Sequence, residues 1–401
     1  MANSILTIDM ITRESLRVLE NNLVLTRNVN RQYDNSFAKE GAKIGATLRI
    51  RKPDRALVNT GAVLQVTDEA QQYGSLTVSN QANIGLAFTS AELTMSLQDF
   101  SDTIIVPRVS QLAAYIDNDV ANVFKQIGQS VGTPGTTPAT SQVLLAGQQK
   151  LNESAATMSN RYATINPAAN AGLVEGMKGL FNPGNTIEKQ FKSGMVANNI
   201  LGYDEINMSQ SIATFTTGSR LSGATVATSV TTEGATTLVI TTSGAASQTV
   251  KAGDVFTVSA CNAVNPQTRQ STGSLYQFVV PADFTAATNT LTITGMAPMY
   301  SASQALATMD ALPLSGATVT WQGSASTVYP QNLIYQKDSI IFATADLAMH
   351  DTGKCSRMNH NGISMRYWEA SDIVNDKKYV RLDVLYGYTC IRPEMAVRLW
   401  G

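Results

Sequence analysis

Apolar residues at Ile11, Leu16, Leu19 and Leu23 fall on one side of a helical wheel. Residues 7–30 are therefore expected to form an amphipathic helix, with Thr7 or Asp9 able to cap its start. The polar stretch 28–38 reads as an extended arm. At Thr47 the period drops to two: Thr47-Leu-Arg-Ile-Arg-Lys-Pro alternates apolar and basic positions until Pro53 stops it. Residues 54–80 hold two or three short strands around Thr60-Gly61 and Tyr73-Gly74, with little apolar content to pack on. A projecting ribbon of this kind is marginal alone and needs a partner surface.

The most sustained period lies at 101–127, where Val109, Leu112, Ala113, Ile116, Val120, Val123, Phe124 and Ile127 make one stripe. This predicts a long one-sided helix lying across a sheet. Ser101 or Asp102 can cap it, Pro107 falls in or near its first turn, and Gly128 ends it. Residues 130–141 read as a loop and 142–157 as a second helix. Arg161-Tyr-Ala-Thr-Ile is a buried strand, and Asn166-Pro-Ala-Ala-Asn turns into a third helix at 168–180. Further β elements are expected at 195–203 and 206–209, then strands at 332–336, 339–345, 363–370 and 379–390. No internal repeat is visible.

Residues 221–328 break this alternation. The block is rich in Ser, Thr, Ala and Gly, and its only charges are Glu233, Lys251, Asp254, Arg269, Asp283 and Asp310. Short alternating runs such as Asp254-Val-Phe-Thr-Val-Ser and Thr290-Leu-Thr-Ile-Thr predict a self-contained β module set into a mixed helix-and-strand host.

Composition narrows the function. At 401 residues the chain has room for two or three domains with their own cores. Charged residues make up 15%, against about 25% in typical soluble domains. A net charge of −1 gives no basic footprint for recognising DNA directly. Sparse charge beside 43% hydrophobic residues suits a surface covered by other copies of the chain, and it also fits a secreted β-protein. Cys261, Cys355 and Cys390 offer no disulfide framework, so a reducing compartment is expected. The opening Met-Ala-Asn-Ser-Ile-Leu lacks a signal-peptide pattern, and no apolar run approaches the roughly 20 residues that span a bilayer. Synthesis in the cytosol, with the product staying there or assembling there, is the expectation.

Candidate chemistry is thin. His350, Cys355 and His360, with Asp351 beside them, match no zinc-ligand spacing, and a loop with incidental polar residues is the reading preferred. The glycine-rich 128–135 stretch lacks the Lys-[Ser/Thr] ending of a phosphate loop, and no nucleophile elbow occurs. Asp68-Glu69 on the ribbon, and Asp117 and Asp119 on the long helix, read as solvated carboxylates. An enzyme is disfavoured, and no catalytic residue, metal or cofactor is assigned. The densest basic cluster is Arg49, Arg51, Lys52 and Arg55. It is either a solvated strand face or a set of interface cations at the ribbon's root that pair with acidic groups on a neighbour.

The order of these elements resembles the major capsid (coat) proteins of tailed bacteriophages, in the P22-like branch of the HK97 fold. Three motifs carry the likeness. One is Gly253-Asp-Val-Phe-Thr-Val followed by Asn262-Ala-Val-Asn-Pro-Gln-Thr-Arg-Gln-Ser-Thr-Gly-Ser-Leu-Tyr-Gln-Phe-Val-Val. The second is Ile165-Asn-Pro-Ala-Ala, and the third is Leu385-Tyr-Gly-Tyr-Thr-Cys-Ile-Arg-Pro-Glu-Met-Ala-Val-Arg-Leu. The resemblance implies an α+β, HK97-like capsid fold with an inserted antiparallel β-barrel.

Its parts would be an N-terminal helix and arm (1–45), an extended loop with flanking strands (46–90) and a peripheral domain with the spine helix (91–130). An apical domain (131–220), the inserted barrel (221–328) and return strands (329–401) would follow. Arg49, Arg51, Lys52, Arg55, Asp68 and Glu69 become assembly-interface residues. Implied partners are further copies in pentamers and hexamers of an icosahedral head, a scaffolding protein, a portal protein and a decoration protein where one exists. Packaged double-stranded DNA would be held without sequence-specific binding, and no membrane is implied. The product would be a virion capsid assembled in the host cytoplasm. No cross-linking Lys/Asn pair carries over from the HK97 branch. An encapsulin-like shell and an exported β-rich binding module are the alternatives. Deleting residues 56–79 is expected to leave a folded monomer that cannot close shells.

Overall fold

The computed structural model describes residues 8–31, 47–58, 61–62, 71–89, 105–177, 196, 199–220, 223–241, 248–287, 289–350, 353–372 and 377–401. The proposed caps Thr7, Ser101 and Asp102, the arm beyond Arg31, and Asp68, Glu69 and Asp351 lie outside these residues. The chain divides into two compact units, and helix and strand are mixed in the first as the α+β expectation requires.

The first unit comprises Met1–Ile50, Gly74–Val120 and Ile340–Thr389. Its spine is the strand Lys377–Cys390, which pairs with Ile340–Ala345, Ile363–Asp372 and Asn80–Thr89. Lys354–His360 completes the sheet as the outer arm of a hairpin with Ile363–Asp372. The hairpin turns at Asn361-Gly362, with φ of 49° and 78°. Positive φ at both central residues gives the twist that joins two strands tightly, and Asn-Gly is the pair that tolerates it. This corrects the loop expected around Cys355 and His360, both of which sit on a strand.

The helix Ile8–Asn22 packs its apolar stripe on this hairpin, burying Ile11, Leu16 and Leu19. The single helix expected over 7–30 is in fact two. The chain breaks at Leu23 and Val24 and restarts as Leu25–Asn28. The cause is Asp117, whose carboxylate accepts the amides of Val24 (2.6 Å), Leu25 (3.3 Å) and Thr26 (3.0 Å) and the Thr26 hydroxyl (2.5 Å). Those amides begin a helix and have no partner within it, so a carboxylate reaching in from the long helix satisfies them. Asp117 is 3% exposed, which overturns its reading as a solvated carboxylate. Asp117→Ala is expected to cost about 2–4 kcal/mol, because it strands several buried donors at once. A urea unfolding curve measures it, and a loss below the scatter of surface variants would refute the capping role.

The long helix runs Val106–Ala121 and tightens into the 3-10 segment Asn122–Gln126. All eight apolar positions of its expected stripe are buried. Pro107 stands second in the helix, where a missing N–H costs nothing. Asp119, half buried, accepts the hydroxyls of Tyr386 (2.7 Å) and Tyr388 (3.2 Å) and the amide of Asn80 (3.1 Å), so it too is tied to the sheet. Arg366 and Asp383 form a buried ion pair at 2.6 Å, with Arg381 as a second donor at 2.7 Å.

The second unit comprises Arg51–Tyr73, Ala121–Ser339 and Cys390–Gly401. Its main sheet runs in the order Ser130–Val131, Ala396–Trp400, Val328–Gln336, Arg161–Ile165, Glu205–Met208, with Thr214–Thr216 pairing the start of Val328–Gln336. The helices Ser141–Glu153 and Pro167–Met177 cover it, burying Leu144, Leu151, Leu173, Ile334, Val397 and Leu399. Of the β element expected at 195–203, residues 195, 197 and 198 lie outside the described residues, and residues 200–203 form a turn closed by one bridge from Ile200 to Tyr203. Tyr203 spends its hydroxyl on Leu144 O at 2.7 Å.

Among the described residues of 221–328 the strand pairs are antiparallel and fall into three small sheets. They join Val255–Val264 with Ser271–Val279 and Val319–Trp321, Leu238–Thr241 with Thr225–Val226 and Thr290–Ile293, and Thr249–Val250 with Phe284–Thr285. Thr290–Ile293 alternates exposed Thr with buried Leu291 and Ile293, as its period-two text requires. One core unites the sheets around Phe256, Val258, Phe278, Ile240, Ile293 and Met309. Phe256 stacks on Phe278 with ring centroids 5.2 Å apart.

Candidate functional site

The ribbon begins where Thr47–Arg51 pairs with Tyr73–Thr77, and Lys52 N bonds Gln72 O at 2.8 Å just beyond. Ile50 and Leu76 face inward and are buried. Strand alternation therefore sends Arg49 and Arg51 outward, and both are exposed. Lys52 is half buried. Arg55 turns back to Glu394 at 3.2 Å, and that carboxylate also meets Arg392 at 3.5 Å. Of the four expected interface cations, Arg49 and Arg51 are exposed, Lys52 is half buried, and Arg55 is held by Glu394. A partly exposed pair of this kind contributes about 1 kcal/mol at most, so it positions more than it stabilises.

The second unit holds a buried joint that the sequence did not announce. Arg398, in the strand Ala396–Trp400, is fully buried. Its Nε and Nη2 donate to Gln331 Oε1 at 2.8 and 2.6 Å, and its Nη1 donates to Gly253 O at 2.6 Å. The guanidinium lies 4.7 Å from the Trp400 ring, 5.0 Å from Phe124 and 5.5 Å from Phe215. Burial pulls its pKa down to about 9, still high enough to leave it charged at neutral pH. One side chain so connects the last strand, the strand Val328–Gln336 and the turn at Gly253.

Asp254, next in that turn, is also fully buried. It accepts the amides of Lys251 (2.8 Å) and Gly218 (3.2 Å) and faces Arg220 at 3.5 Å. Burial raises its pKa, while Arg220 is the chief opposing influence. Arg220 donates in turn to Gln322 O (2.6 Å) and Ser324 O (3.1 Å). Thr217 N reaches Thr327 O at 3.1 Å, so the chain leaves for 221–328 and returns from it side by side. The signal for this joint was a lone arginine in the otherwise apolar run Met395-Ala-Val-Arg-Leu-Trp. A cation inside a strand buried on both faces must be paired.

The arrangement ties three segments of the second unit together. His350 stacks on Trp368 with centroids 4.5 Å apart, and His360 Nε2 lies 3.4 Å from Glu20. Among the described residues no three His, Cys, Asp or Glu side chains converge on a metal position. Likewise, no helix among them is long and apolar enough to cross a membrane.

Comparison with known proteins places this geometry. The family model described as "P22 coat protein - gene protein 5" matches residues 1–401. No curated protein matches the chain. Among solved structures, one described as Mycobacterium phage Che8 is similar at 11% identity and a TM-score of 0.48, over 94% of this chain and 90% of that one. One described as Gordonia phage Cozz has 11% identity and a TM-score of 0.38, over 93% and 87%. A virus-like particle from Pyrococcus furiosus has 8% identity and a TM-score of 0.39, over 98% of each chain.

Proposed function

The chain belongs to the P22 coat protein family, and from that premise we propose that it builds the pentamers and hexamers of an icosahedral phage head around double-stranded DNA. The observation that carries this reading is the match of the family over the whole chain, residues 1–401. Family membership makes it a capsid shell protein that associates with itself. The rest is inference. A scaffolding protein guides closure, a portal protein occupies one vertex, and a decoration protein binds where the phage has one. Assembly takes place in the host cytoplasm.

The HK97-like division follows from the same premise: arm at 1–45, extended loop at 46–90, peripheral domain with the spine helix at 91–130, first part of the apical domain at 131–220, barrel at 221–328, and return strands of the apical and peripheral domains at 329–401. The layout supports it physically. A shell subunit needs surfaces that reach its neighbours more than it needs a pocket, and we assign that role to residues 52–72, whose ends meet at Lys52 and Gln72. Arg49 and Arg51 are exposed at the root of that segment, where they pair with carboxylates of an adjacent copy, and Asp68 and Glu69 serve the same interface from the segment itself. A net charge of −1 supports a container that encloses DNA without gripping its sequence.

Expression of the full chain with the scaffolding protein of its phage is expected to yield closed, uniform shells in negative-stain electron micrographs. Only soluble monomer or amorphous aggregate under those conditions would sink the reading.

A further inference from the structure

In the second unit a cavity of about 390 Å³ opens between the end of the helix Ser141–Glu153 and the strand Ser271–Val279. That lies within the roughly 300–1,000 Å³ occupied by small organic ligands. Leu275, Met296 and Leu306 give it an apolar side. The other side is rich in donors. Lys150 is half buried, has Ser274 Oγ at 3.0 Å, and among the described residues meets no carboxylate at ion-pairing distance. Burial pulls the Lys150 pKa down against the opposing pull of Glu153, which lines the same cavity with Asp54 and Glu394. Beside it Arg55 and Arg392 share one carboxylate, Glu394.

We propose that this cavity binds an organic anion, with a carboxylate or phosphate head on Lys150 and an apolar tail against Leu275, Met296 and Leu306. The head adds a negative charge beside Lys150, whose coulombic partner within the chain is Glu153. The tail removes apolar wall from water, at about 25 cal/mol per Å². Because Lys150 belongs to the helix that covers the main sheet and Ser274 to the 221–328 region, an occupant braces one against the other.

Isothermal titration calorimetry on the purified full chain tests this with four probes: hexanoate, hexyl phosphate, hexanol and inorganic phosphate. The two anionic amphiphiles are expected to bind about tenfold or more tighter than either half-ligand; the relative strength of hexanoate and hexyl phosphate identifies the preferred head. Lys150→Met is expected to weaken them about tenfold or more, as truncating a partly buried charge does. Lys251→Met, at an exposed ammonium already paired with Asp283 at 2.8 Å, should change nothing. Leu275→Glu, which sets a carboxylate on the tail wall, provides a second loss that leaves Lys150 in place. Thermal melts of each variant separate lost binding from lost fold. The proposal is overturned if neither amphiphile binds, if inorganic phosphate binds as tightly, or if folded Lys150→Met and Leu275→Glu bind unchanged.

Discussion

A chain whose residues 56–71 are replaced by a short Gly/Ser linker is expected to fold as the parent does and to form no closed shells. The cut is set by the structure. Lys52 N and Gln72 O are hydrogen bonded at 2.8 Å, so the two ends of the ribbon already meet and a short linker rejoins them without strain. The wider deletion suggested by sequence, 56–79, would remove Leu76 and Val78, which are 0% and 1% exposed. It would also remove Thr77, whose carbonyl lies against Gly387 so closely that a Cβ there would sit 2.2 Å away. That deletion would unfold the protein and say nothing about assembly. The narrower one lies outside the paired strands Thr47–Arg51 and Tyr73–Thr77 and leaves their pairing in place. Circular dichroism reports the fold and negative-stain microscopy the shells; normal shells from this variant would falsify the interface role. Arg49→Glu combined with Arg51→Glu, read in the same assay, decides between a solvated face and an interface. Lost shells with an unchanged melt favour the interface, and unchanged shells favour solvation.

Arg398→Met is expected to destabilise the chain by about 3–5 kcal/mol, because removing one partner from a buried polar network leaves the others stranded. Gly253 O and Gln331 Oε1 would lose their donors in a site closed by Phe124, Phe215 and Trp400. Each stranded acceptor costs about 1–3 kcal/mol. Arg398→Lys should recover only part of this, since one ammonium cannot span both acceptors as the planar fork does. Urea unfolding midpoints provide the measurement. A Met variant as stable as the parent would show that the rings, and not the guanidinium, hold the joint.

Much of the architecture was legible from periodicity, because burial on one side of a helix or strand writes itself into residue spacing. The eight-residue stripe ending at Ile127 and the alternating text of 290–293 are cases in point. The hairpin arm Lys354–His360 was not legible: one of its faces meets solvent, so Lys354-Cys-Ser-Arg-Met-Asn-His reads as polar loop, and the Asn361-Gly362 turn was the signal passed over. The split of the first helix was hidden because its cause, Asp117, lies far away in sequence. Of the six candidate interface residues, Arg49 and Arg51 took the outward positions that alternation gives them. Arg55 did not, because Glu394 comes from the other end of the chain and no local pattern announces it. Arg398 escaped notice for the same reason: a buried cation is defined by partners at Gln331 and Gly253 that only the fold brings together.

The path into and out of 221–328 has a consequence for inheritance. Thr217 and Thr327 are hydrogen-bonded neighbours on a ladder that continues through Thr214–Thr216 and Val328–Gln336. A hundred residues of detour therefore return to the point they left, and a genetic event that added or removed them would leave the host sheet in register. Arg398 is an exception to that modularity, beside partly buried links such as Lys150–Ser274 and Ser130–Gln277. Its third hydrogen bond ends on Gly253, inside the detour, so a descendant that discarded the segment would inherit a buried guanidinium with one arm unmatched. Module and residue 398 are expected to be gained, lost or exchanged together, and a designer grafting a different module at this position should redesign residue 398 in the same step.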